Sequence, residues 1–173
     1  MKVAAVQLTS TGSVTENQEL ALAKIREAAG NGARLIVLPE ATAQNFRSGR
    51  LDEQAQTLEG PFATAIQTLA EELEVTVVAG MFCPADTVER DGKTINRVTN
   101  MALIAGPGVL GGYDKIHTYD AFDYRESDTV LAGESLVAFD VDDLVVGVAT
   151  CYDIRFPEQF KELASQGAQL IVV

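Results

Sequence analysis

The sequence predicts an α/β fold in which a mixed β-sheet is covered by helices. Three observations carry that expectation. Short runs such as Leu35–Leu38 and Val75–Gly80 are apolar or small throughout rather than alternating, so both of their faces are expected to be buried. These runs alternate with segments of helical periodicity. Two pairs of strands, near 99–113 and 136–149, follow one another with no helix between them, which demands antiparallel pairing within the same architecture. The 173 residues, 47% of them hydrophobic, suffice for one core. No repeat, low-complexity stretch or linker divides them, so residues 1–173 are expected to form a single domain.

Val3–Leu8 reads as a buried strand. Ser13-Val14-Thr15-Glu16 has the spacing of a capping box, in which a hydroxyl and a carboxylate satisfy free N–H groups at a helix start. The helix is expected over 16–29, with Ala21, Ile25 and Ala28 on its inner face and Gly30 and Gly32 ending it. Leu35–Leu38 is a strand broken by Pro39-Glu40. Pro61 opens a second helix, with Phe62, Ile66, Leu69 and Leu73 at helical spacing. Val75–Gly80 is the next strand, and the polar stretch 84–93 an exposed hairpin or loop. Thr99–Ala105 is another strand. Gly106-Pro107-Gly108-Val109-Leu110-Gly111 fits GxGxxG, yet Gly112-Tyr113-Asp114 stands where a dinucleotide site needs a helix N-terminus. It reads instead as a glycine-rich strand connection. Leu136–Val141 and Leu144–Ala149 are strands joined at Asp142-Asp143, followed by a helix over Pro157–Ser165 and a strand over Ala168–Val173. The chain stops inside this apolar strand, which predicts a domain continuing beyond residue 173, truncated here at its C-terminal side.

The formal net charge of −12 argues against nucleic acid and anionic membrane as partners. No apolar run approaches the roughly 20 residues that span a bilayer. Two cysteines, Cys83 and Cys151, are too few for a disulfide scaffold, and with no secretion signal a reducing cytoplasm is expected. No zinc spacing or calcium loop occurs, so neither a metal nor an organic cofactor is expected.

Three strand ends carry the chemistry. Glu40 lies just past Leu35–Leu38, Lys115 follows Gly111-Gly112-Tyr113-Asp114, and Cys151 ends Val145–Thr150. In open α/β folds, functional groups gather beyond the carboxyl ends of strands, so an acid, an amine and a thiol can share one crevice. Cys151 stands at a strand-to-turn position, where its sulfur is exposed and backbone N–H groups such as that of Tyr152 can bind an oxyanion. Cys83, between Phe82 and Pro84, reads as structural. A thiol needs help at neutral pH. His117, the single histidine, is one candidate helper; Glu40 as base with Lys115 beside the sulfur is the other.

Leu38-Pro39-Glu40, Tyr113-Asp114-Lys115-Ile116-His117 and Cys151-Tyr152-Asp153-Ile154-Arg155-Phe156-Pro157-Glu158 together resemble the three signature segments of the nitrilase superfamily, the carbon–nitrogen hydrolases, in order and approximate separation. The likeness extends from Val3 to the last residue. It implies an α-β-β-α sandwich, assembly into dimers or larger oligomers, and a triad of Glu40, Lys115 and Cys151. It also implies a second glutamate after the lysine: Glu126 fits best, with Glu134 the lesser candidate. Members of the superfamily continue well past the point that corresponds to residue 173. The Cys151–Glu158 segment resembles the branch acting on ω-amides of α-keto acids and on deaminated glutathione, where Arg155 would grip a substrate carboxylate or else form a structural ion pair. The expected reaction is hydrolysis of a small carboxylated amide through a thioester. N-carbamoyl amidohydrolase or nitrilase activity is the alternative within the enzyme class. An inactive fragment or split subunit that only binds a partner is the alternative outside it.

Overall fold

The computed structural model describes all residues, 1–173. Strand β1 (Val3–Ala5) leads to helix α1 (Val14–Gly30), β2 (Leu35–Val37), α2 (Pro61–Glu72), β3 (Thr76–Arg90), β4 (Lys93–Gly106) and β5 (Val109–Asp114). Then come the short β6 (Asp120–Ala121), β7 (Tyr124–Arg125) and β8 (Val130–Leu131), followed by β9 (Ala138–Val141), β10 (Leu144–Val148), α3 (Pro157–Ser165) and β11 (Leu170–Val172). No helix is long and apolar enough to cross a membrane.

The first sheet has the order β1-β2-β3-β4-β5, with β8 added beside β4. β1, β2 and β3 are mutually parallel, and β4 is antiparallel to both β3 and β5. The second sheet has the order β11-β10-β9, parallel and then antiparallel. The expected mixed sheet is therefore two sheets. They face each other through Leu35, Val78, Ile104 and Tyr113 of the first and Val141, Val146, Val148 and Val172 of the second. On the other face of the first sheet, Ala21 and Ile25 of α1 and Phe62, Ile66 and Leu69 of α2 pack with Ile36, Val77, Ala79 and Leu103. Helix α3 lies against the second sheet, where a Cβ on Gly147 would come 3.2 Å from Leu163. The layers are α-β-β-α, as the family resemblance implied.

Several boundaries differ from expectation for identifiable reasons. β1 is three residues, not six, and is mostly exposed, because it is the edge strand of its sheet. The polar stretch 84–93 is not a loop; β3 and β4 extend through it as an exposed hairpin, turning at Asp91-Gly92, both with positive φ. Strand pairing continues there although no core asks for apolar residues. α1 starts at Val14, and Asn17 rather than Ala28 completes its buried face. The Asn17 amide bonds Thr11 O and Ala43 O, so burial leaves it satisfied. Only half the expected capping box forms: Ser13 accepts from the Glu16 N–H, while the Glu16 carboxylate accepts from Thr11 Oγ1. Gly106–Val109 is a tight antiparallel turn, with Gly108 at φ +74°, so the GxGxxG run is a strand connection.

Candidate active site

Glu40 is placed by the close approach of its backbone to β3. Leu38 N–H bonds Val78 O, continuing the β2–β3 ladder, and Gly80 N–H bonds Pro39 O. A Cβ on Gly80 would stand 1.4 Å from Glu40 O, so only glycine lets the chain turn here. Lys115 follows β5, with its N–H bonded to Asn100 O on β4. Gly133 N–H bonds Lys115 O, and a Cβ on Gly133 would lie 2.2 Å from Asp114 O. Two glycines thus let neighbouring backbone press the acid and the amine into place.

The Lys115 ammonium is 2% exposed and sits between two carboxylates. Its Nζ lies 3.1 Å from Glu40 Oε1 and 2.9 Å from Glu126 Oε2. Glu126, also 2% exposed, begins a short 3-10 turn and accepts the Tyr119 N–H at 2.6 Å. Asn100 Nδ2 bonds Glu40 Oε1 at 2.8 Å and Glu126 Oε1 at 3.2 Å. Burial alone pushes the Lys115 ammonium down, but the charges and hydrogen bonds of Glu40 and Glu126 outweigh it and hold it above the ordinary lysine range. Lys115 is therefore a charged amine at neutral pH.

Cys151 follows β10 at a sharp turn, with φ +49°. This left-handed conformation costs a side-chain-bearing residue about 1–2 kcal/mol, and the surroundings hold it there. Thr150 N–H donates to Asp153 Oδ2 at 2.8 Å, and a 3-10 turn runs from Cys151 to Arg155. The Cys151 side of the turn is exposed. Its thiol lies above the ordinary range, through partial burial first and the Glu40 charge second, offset in part by Lys115. The Lys115 ammonium does favour thiolate, but burial and the neighbouring carboxylates outweigh it, so the sulfur needs a base such as Glu40 to take its proton. Cys83 is buried and pushed up to about 11 by burial, Asp114 and Glu59, as befits a structural thiol.

Glu40, Lys115, Glu126 and Cys151 share one open cavity of about 530 Å³, whose remaining walls are Phe46, Arg47, Tyr119 and Tyr124. His117 is not among its walls. Its Nδ1 lies 2.7 Å from Asp153 Oδ1, its ring stacks on Phe156 at 3.6 Å, and its N–H also donates to Asp153. Asp153 is wholly buried and additionally takes the Tyr113 hydroxyl at 2.6 Å. The Tyr113 phenol is held well above its ordinary range by burial and by Asp153, so it remains a donor. This carboxylate ties the Cys151 turn to the segment carrying Lys115, and His117 serves that tie.

Tyr152 is half-buried, edge-on to Tyr119 and Phe156. Its N–H has no acceptor in the protein, and Tyr152 is not among the cavity walls. Arg155 is exposed, forms no ion pair and does not line the cavity; Glu134 is exposed and equally apart. The structural ion pair considered for Arg155 does not form. No group of three His, Cys, Asp or Glu side chains is arranged to hold a metal ion. Sequence reasoning missed Asn100, Asp153 and the aromatic and arginine walls. Asn100 carried a signal, since an asparagine just before the apolar run Met101–Ala105 must find partners when buried.

The carbon-nitrogen hydrolase family model matches residues 2–173. A protein named as a hydrolase from Mycobacterium tuberculosis is 43% identical, over 100% of this chain and 60% of its own length. A deaminated glutathione amidase of Escherichia coli is 35% identical, over 100% of this chain and 64% of its own. An omega-amidase of Danio rerio is 32% identical, over 99% and 61%. The chain thus spans about 60% of the length of these curated relatives. An amidase from Nesterenkonia sp. shares the fold with a TM-score of 0.80 at 20% identity, over 99% of this chain and 65% of that one. The matched span takes in all three strand ends that bring the acid, the amine and the thiol together, and this chain belongs to the carbon–nitrogen hydrolase family.

Proposed function

We propose that the protein hydrolyses the C–N bond of a small carboxylated amide, with Cys151 as nucleophile. The observation that carries this reading is the single cavity in which a carboxylate, a charged amine and a thiol meet. Glu40 takes the Cys151 proton as sulfur attacks the carbonyl carbon. The Lys115 ammonium and the Tyr152 N–H bind the oxyanion. The C–N bond breaks, the nitrogen leaves as ammonia or an amine with the proton from Glu40, and a thioester remains on Cys151. Glu40 then takes a proton from water, which attacks the thioester; acid leaves and the thiol regains its proton. Glu126 keeps Lys115 charged and oriented.

The names of the relatives support this reading. The Escherichia coli relative is an amidase of deaminated glutathione and the Danio rerio one an omega-amidase. The Nesterenkonia amidase was crystallised with acrylamide added to its active-site cysteine. We also propose a reducing compartment such as the cytoplasm, which keeps the exposed thiol free, and, on the resemblance, a homodimer. Ammonia release over ω-amides, carbamoyl amino acids and nitriles tests the activity. Release from an ω-amide is expected, and Cys151→Ala should reduce it by more than about 10³-fold. Unchanged release in that variant refutes the assignment.

A further inference from the structure

We propose that Arg47, with the phenols of Tyr119 and Tyr124, forms an anion subsite that receives a carboxylate carried by the amide substrate. The inference rests on the amidase reading of the same cavity and assigns the walls that its chemistry leaves unused.

The charge balance of the cavity leads to it. Glu40, Glu126 and Lys115 leave one net negative charge on the catalytic side, in a protein already at −12. An anionic substrate would be repelled unless another group offset that charge. Arg47 is the one further cation on the cavity wall.

It is also uncommitted. The chain has eight arginines, and Arg34, Arg50, Arg90, Arg97 and Arg125 each pair with a carboxylate. Arg26, Arg47 and Arg155 do not, and of these only Arg47 borders the cavity. Its loop is nevertheless firmly fastened. Gln44, 1% exposed, bonds Ser48 O and Arg50 O through Nε2. Asn45 N–H bonds Thr11 O, Asn45 Oδ1 accepts the Arg47 N–H at 2.8 Å, and Phe46 packs edge-on against Phe82 at 5.2 Å. A guanidinium left without a partner on an anchored loop can meet an anion with little ordering cost.

The neighbouring donors agree. Tyr119 and Tyr124 stand side by side, 6.3 Å between ring centroids, and neither hydroxyl bonds within the protein. Burial and the Glu126 charge keep the Tyr124 phenol protonated, hence a donor. The same cavity that holds the acid, the amine and the thiol thus also offers phenol donors and a free positive charge. The matching ligand is a short molecule with a primary amide at one end and a carboxylate at the other.

The test compares two uncharged and charged pairs. Cys151 alkylation is timed with iodoacetate and with iodoacetamide, and turnover is measured with succinamate and with butanamide. In Arg47→Ala the iodoacetate-to-iodoacetamide rate ratio should fall about five-fold. The succinamate-to-butanamide ratio of kcat/KM should fall about 10- to 100-fold. Arg47→Lys should restore part of each, and Arg26→Ala on α1 should match the unaltered protein. Unchanged ratios in Arg47→Ala, an equal loss in Arg26→Ala, or a loss confined to Arg155→Ala each overturn the proposal. If neither amide is turned over, the amidase reading fails, and the alkylation ratio still decides the anion subsite.

Discussion

Glu40→Gln is expected to lower kcat for amide hydrolysis by about 10²- to 10⁴-fold while raising the rate at which iodoacetamide alkylates Cys151 at neutral pH. The two effects run in opposite directions because Glu40 does two things. As a base it accepts the thiol proton and later delivers it to the leaving nitrogen. As a charge in the same cavity it holds the thiol above its ordinary range, together with partial burial, against the opposing influence of Lys115. Removing the charge leaves burial and Glu126 raising the thiol and a less neutralised Lys115 lowering it. The thiol then falls, and more thiolate is present at any pH below the original value. Glutamine keeps an oxygen where Asn100 Nδ2 donates to Glu40 Oε1, so the local fold is retained. Alkylation followed from pH 6 to 10 should show the inflection moving to lower pH. An inflection that stays put, or moves up, removes Glu40 from the electrostatic account.

Lys115→Met should abolish turnover and destabilise the protein by about 3–5 kcal/mol. Glu126 is as buried as the lysine and is left with its charge, Asn100 and the Tyr119 N–H but no cation. Denaturant unfolding reads the stability loss. Lys115→Met with Glu126→Gln should recover most of the stability, since neither buried charge remains, and none of the turnover, since no ammonium meets the oxyanion. Recovery of turnover in the double variant would show that Lys115 serves the fold alone. The single variant should also push the Cys151 thiol further up, because Lys115 is the one influence that lowers it.

The parts of the site legible in the sequence were those borne by strand ends. Apolar runs mark β2 and β10, and a polar residue just past each run marks Glu40 and Cys151. Lys115 was legible for the same reason at β5. Glu40 and Lys115 share one edge of the first sheet because β5 runs parallel to β3 and β2, and Cys151 joins them from β10 of the second sheet packed against it. The residues that needed tertiary information were those whose partners are remote. Asp153 joins the Cys151 turn to Tyr113 and His117, contacts spanning about forty residues of chain that no local pattern encodes. Arg47 lies in a loop without period, and its freedom from ion pairs is a property of the folded surface. The β3–β4 hairpin was under-read because its outer half obeys pairing rather than burial.

The central claim is that Cys151 becomes covalently acylated, and its most direct test is mass spectrometry after rapid quenching in acid during turnover of an ω-amide. The account predicts a mass gain equal to the substrate less ammonia on the peptide that carries Cys151. Cys83, buried and protonated, should remain unmodified, and Cys151→Ala should show no gain anywhere. Turnover with no adduct on Cys151, or the same adduct on the Cys151→Ala protein, would contradict it.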